Sequence, residues 1–245
     1  MRSADLHNSD PPVTGAAVCP PAPLLARELT GRDPVVTELR QACAAAVGRL
    51  IRSGPDVIAV VGAARSTETW PADGRLDLTA FAPGPAIREE KDGPALPLPL
   101  GLAARLLDEG GYRGERTFRS VNQKEQAAAC LRLGADLSRC GERVGLLLMA
   151  DGSARRSLRA PGYLDPRAAG FDAAIERAVR DGDPGALRDM DAGLAYELLA
   201  TGRPAWQVLA GAMPGRARAA EVLYAGDPFG VFYLVAWLAG GAPNP

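Results

Sequence analysis

Histidine is almost missing from this 245-residue chain, which has His7 near its start and no other. A two-His-one-carboxylate iron site, a three-His zinc site and an HExxH helix all need imidazoles that the remaining sequence does not have. A Ser-His-Asp triad is excluded on the same ground. Lysine is nearly as scarce, with Lys91 and Lys124 alone, so arginine carries the positive charge. The net charge of −1 supplies no general field for nucleic acid or an anionic membrane surface. No apolar run approaches the ~18 residues of a membrane span. Cys19, Cys43, Cys130 and Cys140 form no CxxC pair, and the opening M-R-S-A-D-L-H-N-S-D-P-P has no apolar h-region. Reduced thiols, a cytoplasmic location and a flexible tail over residues 1–12 are therefore expected. Internal repeats and coiled-coil heptads are absent as well.

What remains predicts one α/β domain over 13–240, large enough to bury a sizeable core. Its organising stretch is Val144 to Arg167, V-G-L-L-L-M-A-D-G-S-A-R-R-S-L-R-A-P-G-Y-L-D-P-R. Gly145 to Ala150 is a short continuous apolar run, as in a strand covered on both faces. It stops at Asp151-Gly152-Ser153 and is followed by Arg155 and Arg156. A buried strand ending this way delivers polar groups to the rim of a sheet, where open α/β folds bind ligands.

Other elements read in order. Gly15 to Val18 is a first strand leaving through Cys19-Pro20-Pro21. Asp33 and Pro34 start a helix to Arg52, with Val35, Leu39, Cys43, Ala46, Val47 and Leu50 as its buried stripe. Val57 to Val61 is a second strand, and strand–helix–strand predicts a parallel pair. The Pro- and Gly-rich excursion from Trp70 to Pro99 holds one edge strand near Leu76 to Phe81 and is either a lid or a surface insertion. Helices follow at 98–109, 123–138 and 166–180, with a strand at 117–121. Asp183-Pro184 opens a short helix, 194–200 and 204–213 are two more, hinged at Thr201-Gly202-Arg203, and 222–224 and 231–238 close as strands.

Parallel strands end on one edge, so Cys19, Arg65-Ser66-Thr67 and Asp151 to Arg156 should gather there. Cys19 is either a thiolate nucleophile activated by an arginine or helix N-terminus, or a small buried residue. Asp151 is either a general base or metal ligand, or the acid of an Asp-Gly turn. Arg155 and Arg156 either clamp a carboxylate or phosphate or make ion pairs with Asp165 or Asp172. Arg65 stands similarly. Asp151, Glu68 and Glu197 offer carboxylates whose spacing does not argue for a metal site.

Several segments in the same order, A-A-V-C-P-P-A-P-L-L, P-D-V-I-A-V-V-G, L-P-L-P-L-G-L-A-A-R-L-L, D-G-S-A-R-R-S with P-G-Y-L-D-P-R-A-A-G-F-D, T-G-R-P-A-W-Q-V-L-A-G-A and P-F-G-V-F-Y-L-V-A, resemble the catalytic-subunit fold of class III extradiol ring-cleaving dioxygenases. The branch is LigB-like, with MEMO-like proteins as more distant relatives. The resemblance implies a single domain with a mixed, largely parallel sheet flanked by helices on both faces. It also implies Fe(II) held by two histidines and a glutamate, with a further histidine as acid/base. This chain has Cys19 at the first histidine, Ala63, Ala64 and Arg65 around the second, and Gly152, Ser153 and Ala154 at the third. Thr201-Gly202-Arg203 stands where MEMO-like relatives carry Cys-Gly-Arg.

The reading that follows is a divergent LigB-like protein without a cofactor, binding a small anionic or aromatic molecule. Arg65, Ser66, Arg155, Arg156 and Arg203 bind it, while Asp151, Ser153 and Cys19 are the candidate catalytic groups. The alternatives are an active enzyme with an unconventional site (Fe(II) on Cys19, Asp151 and Glu197 or Asp165, or a metal-free lyase or hydrolase) and a non-catalytic partner subunit. An exposed apolar patch on the 231–238 strand or the Trp206 helix would mark the last. A homo-oligomer is compatible with each.

Overall fold

The Asp33 carboxylate accepts hydrogen bonds from the Val35 and Val36 N–H groups at 2.9 and 3.3 Å, and Pro34 takes the first helical position. This cap starts the long helix from Pro34 to Arg52, named α2 below, at the predicted residue. Its inward stripe is Val36, Leu39, Cys43, Ala46, Val47 and Leu50. Val35 points outward, 42% exposed, because the 3-4-3 spacing back from Cys43 falls on Val36.

The computed structural model describes residues 13–81 and 93–240. The expected tail over 1–12, with His7, lies outside them, as does the middle of the 70–99 excursion. Among the described residues seven strands make one sheet: β1 (Val13–Cys19), β2 (Val57–Ala64), β3 (Glu68–Trp70), β4 (Glu115–Asn122), β5 (Val144–Met149), β6 (Ala219–Gly226) and β7 (Tyr233–Ala239), in the order β3-β4-β2-β5-β1-β7-β6. The central four run parallel, and β3, β7 and β6 are antiparallel to their neighbours. The helices are α1 (Arg27–Thr30), α2, α3 (Leu98–Glu109), α4 (Ala127–Leu137), α5 (Arg167–Arg180), α6 (Ala192–Glu197) and α7 (Arg203–Ala212).

The chain forms the mixed α/β sheet flanked by helices that the sequence predicts, with two differences. β1 and β2 do not pair with each other. The α2 crossover leaves one strand position open, and β5 fills it, pairing in parallel with both. The edge strand is β3, hydrogen-bonded to β4, and not the 76–81 segment. Leu76 and Leu78 are buried there as loop residues, and Phe81 is exposed.

β5 shows why its apolar run is continuous. Val144, Leu146, Leu148 and Ala150 face one core with α4, α5 and α7, while Leu147 and Met149 face the other with α2 and α3. All of these side chains are fully buried, so no position on the strand can be polar without losing a hydration shell.

This topology makes the carboxyl end of β5 a switch point, the place where open α/β sheets are expected to offer a crevice. β1 and β2 send their following helices, α2 and α3, to one face of the sheet, whereas β5 between them exits toward α5 on the other. Where neighbouring strands exit to opposite faces, the connections diverge and leave a gap at the carboxyl ends. β7 is antiparallel and begins at this same edge, so Tyr233 arrives there too.

Candidate functional site at the carboxyl end of β5

Asp151 follows β5 directly and is held from α7. The Gly202 N–H donates to its Oδ1 at 2.8 Å, and the Thr201 hydroxyl donates to the same oxygen at 3.2 Å. The Trp206 indole N–H donates to its backbone carbonyl at 2.9 Å. Gly202 is required by this approach, since a Cβ there would sit 2.4 Å from the Asp151 nitrogen. Burial pushes the Asp151 carboxyl up to about 7 against the opposing pull of Gly202 and Thr201, and Asp172 raises it further. By surface area the residue is nevertheless only half-buried, so the crowding does not seal it from solvent. A carboxyl that is part neutral near pH 7 can donate or accept a proton there.

Tyr233 lies on the α2–α3 side of the same edge. Its phenol is pushed up to about 12 by burial, then by the Asp151 charge and Tyr224, and its hydroxyl makes no hydrogen bond among the described residues. Sequence reasoning placed Tyr233 in a closing strand without a role. That β7 starts where β5 ends is set by long-range pairing, which leaves no local signal.

The other residues predicted for the site are distributed as follows. Ser153 is fully buried, with its N–H and hydroxyl donating to the two Asp172 oxygens at 2.8 and 2.6 Å. Gly152 permits this, because a Cβ would meet Asp172 Oδ1 at 2.4 Å. Arg156 donates from Nε to Asp227 at 2.7 Å, lies 3.7 Å from Asp172, and sits over the Phe232 ring. Arg203 is 2% exposed and is spent on the Gln123 and Glu125 carbonyls and Gln207 Oε1, at 2.7–2.8 Å. Cys19 is fully buried in the α2–α3 core, where its contact and burial push the Cys43 thiol up. Arg65 is exposed. Its carbonyl accepts from Asn122 Nδ2 at 2.5 Å and that of Ser66 from the Ser120 hydroxyl at 2.8 Å, so the β2 exit leans toward β4 and away from β5.

Arg155 differs from its neighbour. It has no ion pair among the described residues, one guanidinium nitrogen donates to the Gly162 carbonyl, and its Nε is buried without a partner. Asp165, with its carboxyl down to about 2 through hydrogen bonds from Arg167, is committed to that arginine. Arg65 and Arg155 are thus the two predicted anchors that make no ion pair among the described residues, although the Arg155 charge adds to the lowering of Asp165.

The Fe(II) implied by the resemblance can be tested on the donors present. At the matching positions Cys19 is buried beside Cys43, Ala63 and Ala64 have no donor atoms, and Ser153 is closed within its Asp172 contacts. Among the described residues no three His, Cys, Asp or Glu side chains converge as a metal site would require. The donor set does not fit iron. A cavity of about 810 Å³ opens elsewhere, on the outer flank of α2 and α3, lined by Leu25, Arg27, Arg40, Leu102 and Arg105 among others, and no residue of the β5 exit lines it.

Fold and site together define an α/β protein whose candidate site lies at the carboxyl end of its central parallel strand. The crystal structure of uncharacterized protein JW3007 from Escherichia coli K12 is similar, with a TM-score of 0.56 and 17% identity over 92% of this chain and 100% of that one. At that identity the likeness is one of fold. No family model and no curated protein matches the chain. No helix among the described residues is long and apolar enough to cross a membrane.

Proposed function

We propose that this chain is a divergent LigB-like protein that binds a small anionic or aromatic molecule in the crevice at the β5 exit. The observation that carries the reading is Asp151: a crowded carboxyl on a half-buried residue, held near neutrality at the point where the strand connections diverge. In its neutral form it donates a hydrogen bond to an anion, which an ordinary aspartate repels. Arg155 supplies the compensating charge. Arg156, Ser153 and Arg203 act one step back, fixing the loop and the first turn of α7 that hold Asp151.

Calorimetric titration with benzoate, 4-hydroxybenzoate and phenyl phosphate tests this. Saturable binding is expected. Arg155→Ala should weaken it about tenfold or more, since a charge-assisted hydrogen bond contributes about 1.5–3 kcal/mol. No binding, or equal binding by the variant, contradicts the reading.

A metal-free acid–base enzyme is the second reading, favoured by the same carboxyl, because a group titrating near 7 is matched to proton transfer at neutral pH. It predicts turnover of the bound molecule, and the first reading predicts binding without turnover.

A further inference from the structure

Eight large hydrophobic side chains stand out as exposed among the described residues, and six of them, Leu158, Tyr163, Leu164, Tyr196, Leu199 and Phe229, lie on two loops and the end of α6, which touch one another. The Ala154 N–H donates to the Leu198 carbonyl at 3.0 Å, and Gly162 approaches Leu199 so closely that a Cβ would lie 2.6 Å from its Cδ1. On the other side Arg156 N–H donates to the Gly230 carbonyl at 3.0 Å, and Gly230 abuts Ala160.

The backbone of this cluster is also strained. Tyr163 (φ 62°) and Leu199 (φ 56°) are the only non-glycine residues with positive φ among those described, and both belong to it. Left-handed backbone costs about 1–2 kcal/mol for such a residue. Here that cost holds a tyrosine and a leucine partly exposed to water, at 61% and 40%. Such strain persists where the exposed conformation serves an interaction.

Size and composition suit a protein interface. At exposures of 61%, 68% and 46%, Tyr163, Tyr196 and Phe229 present on the order of 300 Å² between them, taking 150–250 Å² per ring. Three leucines add to this, which brings the apolar centre to the upper range of patches on monomers. With a polar border it approaches the ~800 Å² that each partner contributes to a standard interface. The border carries both signs: Lys124 lies 5.6 Å from the Tyr196 ring centre and Arg159 is exposed, while Glu197 and Asp165 are gathered by Arg167 at 2.7 Å. An apolar, aromatic centre with a border of mixed sign can meet its own image, as a two-fold contact between identical surfaces demands. A border of one sign would repel its own image.

We infer that this chain pairs with a second copy of itself through the 158–164, 196–199 and 228–230 segments. The contact covers the two strained residues and borders the crevice, since Leu199 lies two residues before Thr201, which holds Asp151. The surface is not the one the sequence suggested. The Trp206 helix is covered at every residue but Gly211, and the 231–238 strand is mostly so.

Size-exclusion chromatography with light scattering tests the inference across micromolar to hundred-micromolar protein. The wild type should run at twice the chain mass at the upper end. The double variant Leu158→Glu/Tyr196→Glu should run as a monomer with an unchanged circular dichroism spectrum, and Val35→Glu, an exposed apolar position on α2, should remain a dimer. A monomeric wild type at every concentration, a double variant that still dimerises, or dissociation of the Val35→Glu control would each overturn it. None of these substitutions touches Asp151 or Arg155, so ligand binding is scored separately.

Discussion

Replacing Asp151 by Asn should remove most of a loss of stability that the wild type shows between about pH 4 and pH 7, the remainder belonging to Asp172, whose carboxyl burial also raises. The unfolded carboxyl releases its proton near 3.8 and the folded one near 7. Between those values the folded state holds a proton that the unfolded state has lost, so stability falls as pH rises and levels off above 7. Fully expressed, a shift of about three units corresponds to about 4 kcal/mol, and solvent reaching the half-buried residue reduces this to roughly 2–3 kcal/mol. Asparagine keeps the acceptor for the Gly202 N–H and never ionises. Urea unfolding at intervals across this range should therefore give wild-type and variant curves that converge at low pH and separate toward pH 8, with the variant the more stable there. Carboxyls lowered in the folded protein, such as Asp165 at about 2, act with the opposite sign and below this window. Curves that stay parallel from pH 4 to 8 would mean that Asp151 titrates normally.

The second large effect is expected at Asp172, which is 1% exposed and accepts from the Ser153 N–H and hydroxyl beneath Arg156. Asp172→Ala leaves two buried donors without a partner and removes one of the two carboxylates around the guanidinium. Breaking a buried charged arrangement from one side costs about 3–5 kcal/mol, and Arg156 keeps Asp227, so about 3 kcal/mol is expected. Asp172→Asn retains an acceptor for the N–H and should lose about 1 kcal/mol. Chemical denaturation of the three proteins at pH 7 checks the order. If Ala and Asn behave alike, the loop after β5 is not held by this network.

How far the sequence carried the argument depends on how local each signal is. α2 and α3 were legible to the residue, the first from its Asp33-Pro34 cap and helical spacing, and both from the glycines that end them. β5 was legible as a doubly covered strand because its six residues are all apolar. Its place between β1 and β2 was not, since strand order is decided by crossovers dozens of residues long. β3 is three half-exposed or exposed residues and carries no periodicity. The helix expected from Gln123 starts at Ala127, because Asn122 accepts the Lys124 and Glu125 N–H groups and spends that stretch as a turn.

The site follows the same rule. Asp151-Gly152-Ser153 could be placed at a rim from the abrupt end of an apolar run. Which side chains face the crevice could not, because that depends on α5 and α7 docking from residues far along the chain. Ser153 turns inward only because Asp172 waits 19 residues later. Arg156 and Arg155 are adjacent and chemically alike, yet one pairs with Asp227 and the other makes no ion pair among the described residues, a difference that only the fold creates.

The central claim is that the Asp151 carboxyl, titrating near neutrality, meets the ligand. Carbon-13 NMR of the aspartate carboxyls, assigned by Asp151→Asn and followed across pH with and without benzoate, tests it most directly. A midpoint near 7 that moves when benzoate is added is the predicted result. A midpoint near 4, or one that benzoate leaves in place while it binds, would contradict the account.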